Sequence, residues 1–514
     1  MIKKILFPSR KIAHCFVMSV FILGHQAVLA KSTHTKSAKT KHAKQKIAPI
    51  KTIQPLPTDV KPSQFAPIET KSVAIVPAET PKVAESTPTK AEPPKDWTTA
   101  SGLLDAAGIS PNDTALMKNA GLTVGGWVEV SGSGNFNKSP DNNNGAVTFH
   151  DRSGEFQMNQ ANLFLQKAVT VAGDKFDWGF RFDAMYGTDA IFTQAYGVPT
   201  ADLSNSQSRK NRGNWDLHLA NTGRFYGLAL PQAYAEFNLP FGNGLDVKIG
   251  HFYTPMGYEV VTAPDNMFVT HAYTMQYGEP FTHTGILSNY TINPNWNITL
   301  GAVTGSGTGG WDGTFNKQLG NWSFLGGGKW TSTDAATTVT LLSTLGEQSE
   351  QTKKFWGMYS LVATHNFTDK LHYVFQHDHG FANNVITANS GTLGRNENAQ
   401  WYGINQYLMY DATDKVTVGL RAEWFRDANG FRVFSPGRCS ASSNVVGNMY
   451  ACPNGSLYSG SSNYYALTAG VTYKPAKWLM LRSNLRYDDA DIRAFDAGRR
   501  HDQLMFTGDM VVTF

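Results

Sequence analysis

Between residues 251 and 282 the chain carries three carboxylates, Glu259, Asp265 and Glu279, and no lysine or arginine, in a stretch otherwise rich in Tyr, Phe and Met. A surface loop is ordinarily more polar and mixed in charge. The matching cations lie elsewhere: Arg181, Lys248, Arg421, Arg482 and Arg486 each sit on the polar parity of a segment that alternates apolar and polar residues. Carboxylates facing cations across a narrow, wet passage set up a transverse field that orients polar solutes, and such charges also set ion preference. These eight residues are therefore the candidate constriction. The alternative is that the loop only covers a mouth, while the arginines pair with their neighbours Asp183, Glu423 and Asp488.

Other reactive side chains converge poorly. His372, His377, Asp378 and His379 are close in sequence. At strand parity, however, His377 and His379 share one face and His372 and Asp378 the other. Metal ligands must converge on one point, so rim or surface histidines are expected and no metal site. The chain lacks an HExxH motif, a CxxC pair, a Ser-His-Asp order and a phosphate loop. The glycine-rich run Gly301 to Gly310 has no lysine and leads into no helix. No enzymatic activity and no cofactor are expected. Of the cysteines, Cys15 falls in an N-terminal leader, which leaves Cys439 and Cys452 in one Gly/Ser/Asn-rich stretch. An even pair in an exported chain reads as a disulfide closing a surface loop; the alternative is two free thiols, or a zinc half-site lacking partners.

The elements that position these groups are read from a period of two. Phe176, Trp178, Phe180 and Phe182 alternate with Asp177, Gly179, Arg181 and Asp183, and Val416, Val418, Leu420, Ala422 and Trp424 with Thr417, Gly419, Arg421 and Glu423. Leu479, Leu481, Leu485 and Tyr487 alternate with Met480, Arg482, Asn484 and Arg486 in the same way. Charges recurring on the non-apolar face suit a wet lumen, with the other face toward lipid. Tight turns near 173, 243, 294, 334, 369, 414 and 476 alternate with long links around 132–153, 188–224, 251–282, 306–320, 346–354, 381–398, 428–461 and 489–501. Short turns at one end and long loops at the other are the sidedness of a bacterial barrel; a soluble sandwich has no reason for it. About sixteen strands are expected over 121–514, closed as a transmembrane antiparallel β-barrel, with Gly326-Gly327-Gly328 blurring one strand.

The two ends agree. Lys3, Lys4, Arg10 and Lys11 precede a short apolar run and Val28-Leu29-Ala30, the pattern of a signal peptide over 1–30. Residues 31–95 are Lys/Pro-rich with one aromatic, Phe65, and are expected to be a disordered basic arm. The overall charge of +5 comes from this leader and arm; 96–514 holds 29 basic and 35 acidic residues, so nucleic-acid binding is not implied. Residues 96–120 read as short helices interrupted by Pro111. Phe506, Met510, Val512 and Phe514 alternate with Thr507, Asp509, Val511 and Thr513. This looks like the terminal strand that outer-membrane barrels present to their insertion machinery. The expected location is the bacterial outer membrane, with arm and C-terminus periplasmic. The arm's lysines could touch cell-wall polymer, and a homo-oligomer is left open.

Several stretches resemble the OmpL-like family of outer-membrane β-barrel porins. They are Tyr186-Gly187-Thr188-Asp189-Ala190, Gln232-Ala233-Tyr234, residues 250–259 (GHFYTPMGYE), Gln406-Tyr407 and residues 421–427 (RAEWFRD). The resemblance spans about 120 to 514. It implies a passive channel for small hydrophilic solutes or ions and brings no catalytic residue with it. The 251–282 stretch is similar to the third loop of general porins, which folds inward. The competing reading is a surface-exposed adhesin, or a structural barrel tethering envelope layers without a conducting pore.

Overall fold

The computed structural model describes residues 102–138, 142–193, 226–304, 322–348, 354–389, 392–433, 461–496 and 498–514. The leader, the basic arm, Cys439 and Cys452 lie outside the described residues.

Sixteen strands form one closed sheet in which each strand pairs with its sequence neighbours and the last pairs with the first. The first eight are β1 (Leu122–Asn135), β2 (Phe156–Lys167), β3 (Asp177–Gly187), β4 (Gly227–Leu239), β5 (Leu245–Tyr253), β6 (Thr282–Asn293), β7 (Trp296–Thr304) and β8 (Trp322–Thr331). The circuit continues through β9 (Thr337–Gln348), β10 (Lys354–Asn366), β11 (Leu371–Asn389), β12 (Thr392–Thr413), β13 (Val416–Asp427), β14 (Ser462–Ala476), β15 (Leu479–Ala490) and β16 (Asp502–Thr513). Antiparallel pairing from Trp127↔Thr513 to Asn135↔Met505 shuts the ring. Closure gives every strand two neighbours, the condition under which extended backbone can cross lipid. No helix among the described residues is long and apolar enough to cross a membrane.

The alternation sorts as the sequence implies. Along β16, Phe506 and Met510 are 48% and 40% exposed, whereas Thr507 and Asp509 between them are 1% and 8% exposed. Leu300, Leu341, Leu408 and Leu420 stand outward in the same way, while Arg421, Glu423, Arg486 and Asp488 are buried inward. The three central glycines lie within β8, where Gly327 opposes Leu342, so they soften the alternation without ending the strand.

One expected link is absent. Residues 381–398 read as a loop because they are rich in Asn, Thr and Gly, yet β11 and β12 run through them, with Val385↔Glu397 and Asn389↔Thr392 paired. A hairpin with polar residues at both parities carries no alternation, and by composition such a strand is indistinguishable from a loop. Ahead of the barrel come two short helices, α1 (Leu103–Ala106) and α2 (Ala115–Ala120), separated by a 3-10 turn at Pro111–Asp113. Thr114 caps α2, and Gly121 at φ +65° ends it in the left-handed region that glycine adopts at low cost.

Candidate functional site

The chain between β5 and β6 turns into the barrel and lies against the inner wall. Its apolar side chains explain part of this: Phe268, Val269, Tyr273 and Tyr277 are buried. Phe268 and Tyr258 pack on Tyr407, and Tyr273 packs on Tyr464. Burial of this kind contributes roughly 25 cal/mol per Å2. Buried carbonyls also need donors, and the wall arginines supply them. Arg482 Nη1 donates to the carbonyls of Ala263 at 2.8 Å and Asn266 at 2.7 Å. Arg486 Nη1 donates to His271 O at 2.7 Å, and Arg421 Nη1 to Thr270 O.

Each of these guanidinium groups is neutralised by carboxylates. Arg421 Nε lies 2.8 Å from Glu423 Oε1, and Arg486 Nε 2.8 Å from Asp488 Oδ1. Arg482 contacts Asp509 and, at 3.3 Å, Glu129. One loop carboxylate joins this network directly. Glu259 Oε1 is 2.7 Å from Arg421 Nη1 and accepts from the Tyr407 hydroxyl at 3.1 Å, while Oε2 accepts from Ala272 N at 2.8 Å and lies 3.2 Å from His271 Nδ1. Burial pushes the Glu259 carboxyl up, but Arg421 and His271 outweigh it and hold it down at about 2. Glu259 is an ionised latch.

The other two loop carboxylates have different surroundings. Glu279 is buried and accepts from Gln376 Nε2, which also donates to Asp378 at 3.2 and 3.1 Å. Burial, reinforced by the neighbouring Asp378, pushes the Glu279 carboxyl well above the usual carboxylate range. Asp265 is exposed and accepts from the Thr262 hydroxyl at 2.5 Å.

The remaining two cations occupy another part of the wall. Arg181 forms a fork on Asp183 at 2.7 and 3.1 Å and reaches Gln166 at 3.0 Å. It is in register with Tyr234, whose ring lies 5.0 Å from Lys248 Nζ, and Lys248 pairs with Glu236 at 3.4 Å. The side chains of Arg181 and Lys248 are 13% and 27% exposed, against 0–1% for Arg421, Arg482 and Arg486. Thus the eight candidates separate into a sealed group on β13 and β15 under the loop and an accessible group on β3 and β5, with Asp265 exposed on the loop.

Several contributors are not evident in the sequence. Arg432 is fully buried, donates through Nε to Tyr277 O and lies 4.8 Å over the Trp401 ring. It falls in a stretch that reads as an outer loop. A second infolded segment, between β1 and β2, clamps the first: Thr148 N donates to Gln276 Oε1 at 2.5 Å, and Tyr277 OH donates to Ala146 O at 2.6 Å. Its Asn-rich approach gives no sign of this. Among the histidines, His372 lies 3.1 Å from Asp411 Oδ2, and His377 lies 3.2 Å from the Tyr359 hydroxyl. Asp378, on the opposite parity from His377, belongs to the Glu279 cluster.

A closed antiparallel barrel with an apolar outer face, a charged inner face and an infolded loop is the architecture of a porin-like outer-membrane barrel. Residues 121–514 match the family described as "Putative beta-barrel porin-2, OmpL-like", and the chain belongs to that family. No curated protein matches the sequence. Among solved structures the chain is similar to OprB of Pseudomonas putida, at 14% identity and a TM-score of 0.47, covering 78% of this chain and 96% of that one. It is also similar to OmpF of Salmonella typhi, at 8% identity and a TM-score of 0.45, covering 77% and 99% of the two chains. The outer membrane channel DcaP of Acinetobacter baumannii shares 10% identity, with a TM-score of 0.44 and coverage of 76% and 97%.

Proposed function

We propose that the protein is a passive channel for small hydrophilic solutes and ions, with the passage running between the exposed edge of the 254–281 loop and the β3–β5 wall. The observation that carries this reading is the unequal accessibility of the eight charges. Arg421, Arg482 and Arg486 are buried between the loop and the wall carboxylates, whereas Arg181 and Lys248, paired with Asp183 and Glu236, stay partly exposed and Asp265 is exposed. Tyr234 stands between Arg181 and Lys248 and gives the passage one aromatic wall. Charged groups at a narrow point bias ion flow by sign. In this reading the short-turn end faces the periplasm and the loop enters from outside.

Planar-bilayer recording of the purified protein is the test. Stepwise, ohmic conductance supports the channel; a barrel that inserts without conducting supports a sealed scaffold and removes the proposal. If it conducts, Asp265→Asn and Lys248→Gln should move the reversal potential in a salt gradient in opposite directions.

A further inference from the structure

The seam between β1 and β16 has an unusual partner at its short-turn end. Up to Gly126 the two strands bond to one another: Phe514 N donates to Gly126 O at 2.9 Å, and Gly126 N to Phe514 O at 3.0 Å. Two residues further along β1, Val124 presents its N–H and C=O on the same edge. Both are taken by a single side chain. Val124 N donates to Asn112 Oδ1 at 2.8 Å, and Asn112 Nδ2 donates to Val124 O at 2.9 Å. A primary amide offers a donor and an acceptor in the spacing of a peptide group, so Asn112 occupies the place of the next strand residue. The segment that carries it also covers the end of β16. Gly102 is buried so close to Phe514 that a Cβ there would meet the Phe514 Cα at 2.5 Å. Gly102, Pro111, Asn112, Gly125 and Phe514 line one shared hollow.

We infer that residues 102–114 are a closing lock for the β1–β16 seam. An unpaired strand edge is a template for any incoming strand, and strand addition to such an edge is a common docking mode. The Asn112 amide denies the β1 edge to that pairing. The contact of Gly102 with Phe514 couples the lock to register, because that contact requires β16 to be seated opposite Gly126. The Gly102 part of the lock therefore engages only after the ring has closed. It then opposes fraying of β16 from its short-turn end.

The test is amide hydrogen exchange on the full-length protein in nanodiscs, comparing wild type with Asn112→Ala. Two hydrogen bonds are lost, so exchange at Gly126 and Phe514 should rise about tenfold, along with that at Val124. Gly102→Val, which displaces the segment while leaving Asn112 intact, should produce the same pattern and serves if Asn112→Ala inserts poorly. Asn137→Ala removes a bond to Asp502 O at the opposite end of the same seam and should leave Gly126 and Phe514 protected. Deprotection confined to Val124, or an equal response to Asn137→Ala, would overturn the lock.

Discussion

Arg421→Met is the perturbation that most directly probes how the infolded loop is held. Methionine keeps much of the volume but leaves the buried Glu259 without an arginine, while Glu423 keeps Arg486 at 3.2 Å. Removing one partner of a buried pair costs about 3–5 kcal/mol. A second route gives a similar size. Holding Glu259 at about 2 rather than 4.5 corresponds to roughly 3 kcal/mol at about 1.4 kcal/mol per unit. A loss of about 3 kcal/mol shifts the docked-to-undocked ratio of the loop by roughly two orders of magnitude. Single-channel records should then show frequent excursions to larger conductance, and protease should cut within 254–281. Because the Glu259 pKa is depressed, its contribution in the wild type is present above about 4.5 and lost as pH falls toward about 2. Acidification through that window should reproduce the variant's noise. Adding Glu259→Gln to Arg421→Met should restore part of the quiet behaviour, since one buried orphan charge is gone. Unaltered conductance, noise and protease resistance in Arg421→Met would refute the latch.

Other perturbations separate the remaining groups. Asp265→Asn should lower the preference for cations in a salt gradient and Lys248→Gln should raise it, with neither changing protease resistance of the loop. Glu279 is pushed up by burial and by Asp378, so its stabilising protonated form is complete below about 4.5 and is lost as pH rises through the raised value. Glu279→Gln should remove that dependence, giving a channel quieter than wild type at alkaline pH; equal noise across pH in both would contradict the upward push on Glu279. Arg482→Lys keeps the charge but loses the planar fork; loop protection should fall while the reversal potential stays put. Gly257 sits at φ +86° with the Glu279 carboxylate where a Cβ would go. Gly257→Ala should therefore lower the midpoint of the heat-induced gel-mobility change, with a cost of at least about 1–2 kcal/mol.

The barrel is legible because lipid on one side and water on the other impose a period of two on every crossing strand. Phe506, Met510, Arg421 and Arg486 all stand on the faces their parity gives. Legibility ends where that boundary condition ends. The outer part of the β11–β12 hairpin carries polar residues at both parities and so no alternation to read. The site was legible in part. Absence of Lys and Arg from 251–282 marked the loop, and parity marked the five wall cations. The pairing of Arg181 with Asp183, Arg421 with Glu423 and Arg486 with Asp488, each two residues apart on one strand, is the local pairing the sequence offers. The contact from loop to wall, between residues as distant as 259 and 421, is not encoded locally. Arg432 and Thr148 were missed for a related reason: both come from loops whose composition looks solvated, and only the packed interior reveals their partners.

The same arithmetic of donors accounts for the loop's odd composition. A guanidinium has five N–H donors and no acceptor. Arg482 uses Nε and Nη2 on Asp509 and Glu129, which leaves Nη1 for the carbonyls of Ala263, Asn266 and Phe268. Arg421 divides its donors in the same manner among Glu423, Glu259, Thr270 and Thr468. The wall therefore carries both its cations and most of their counter-charge, and the loop needs to bring only carbonyls, aromatic surface and a single ionised carboxylate. A lysine or arginine on this face of the loop would face the wall guanidiniums at short range in a poorly solvated space, where like charges repel strongly. The cation-free stretch is thus what lets the loop bind to an arginine-lined wall. Asp265, exposed on the loop, accepts from the Thr262 hydroxyl instead of joining the buried Glu259 contacts.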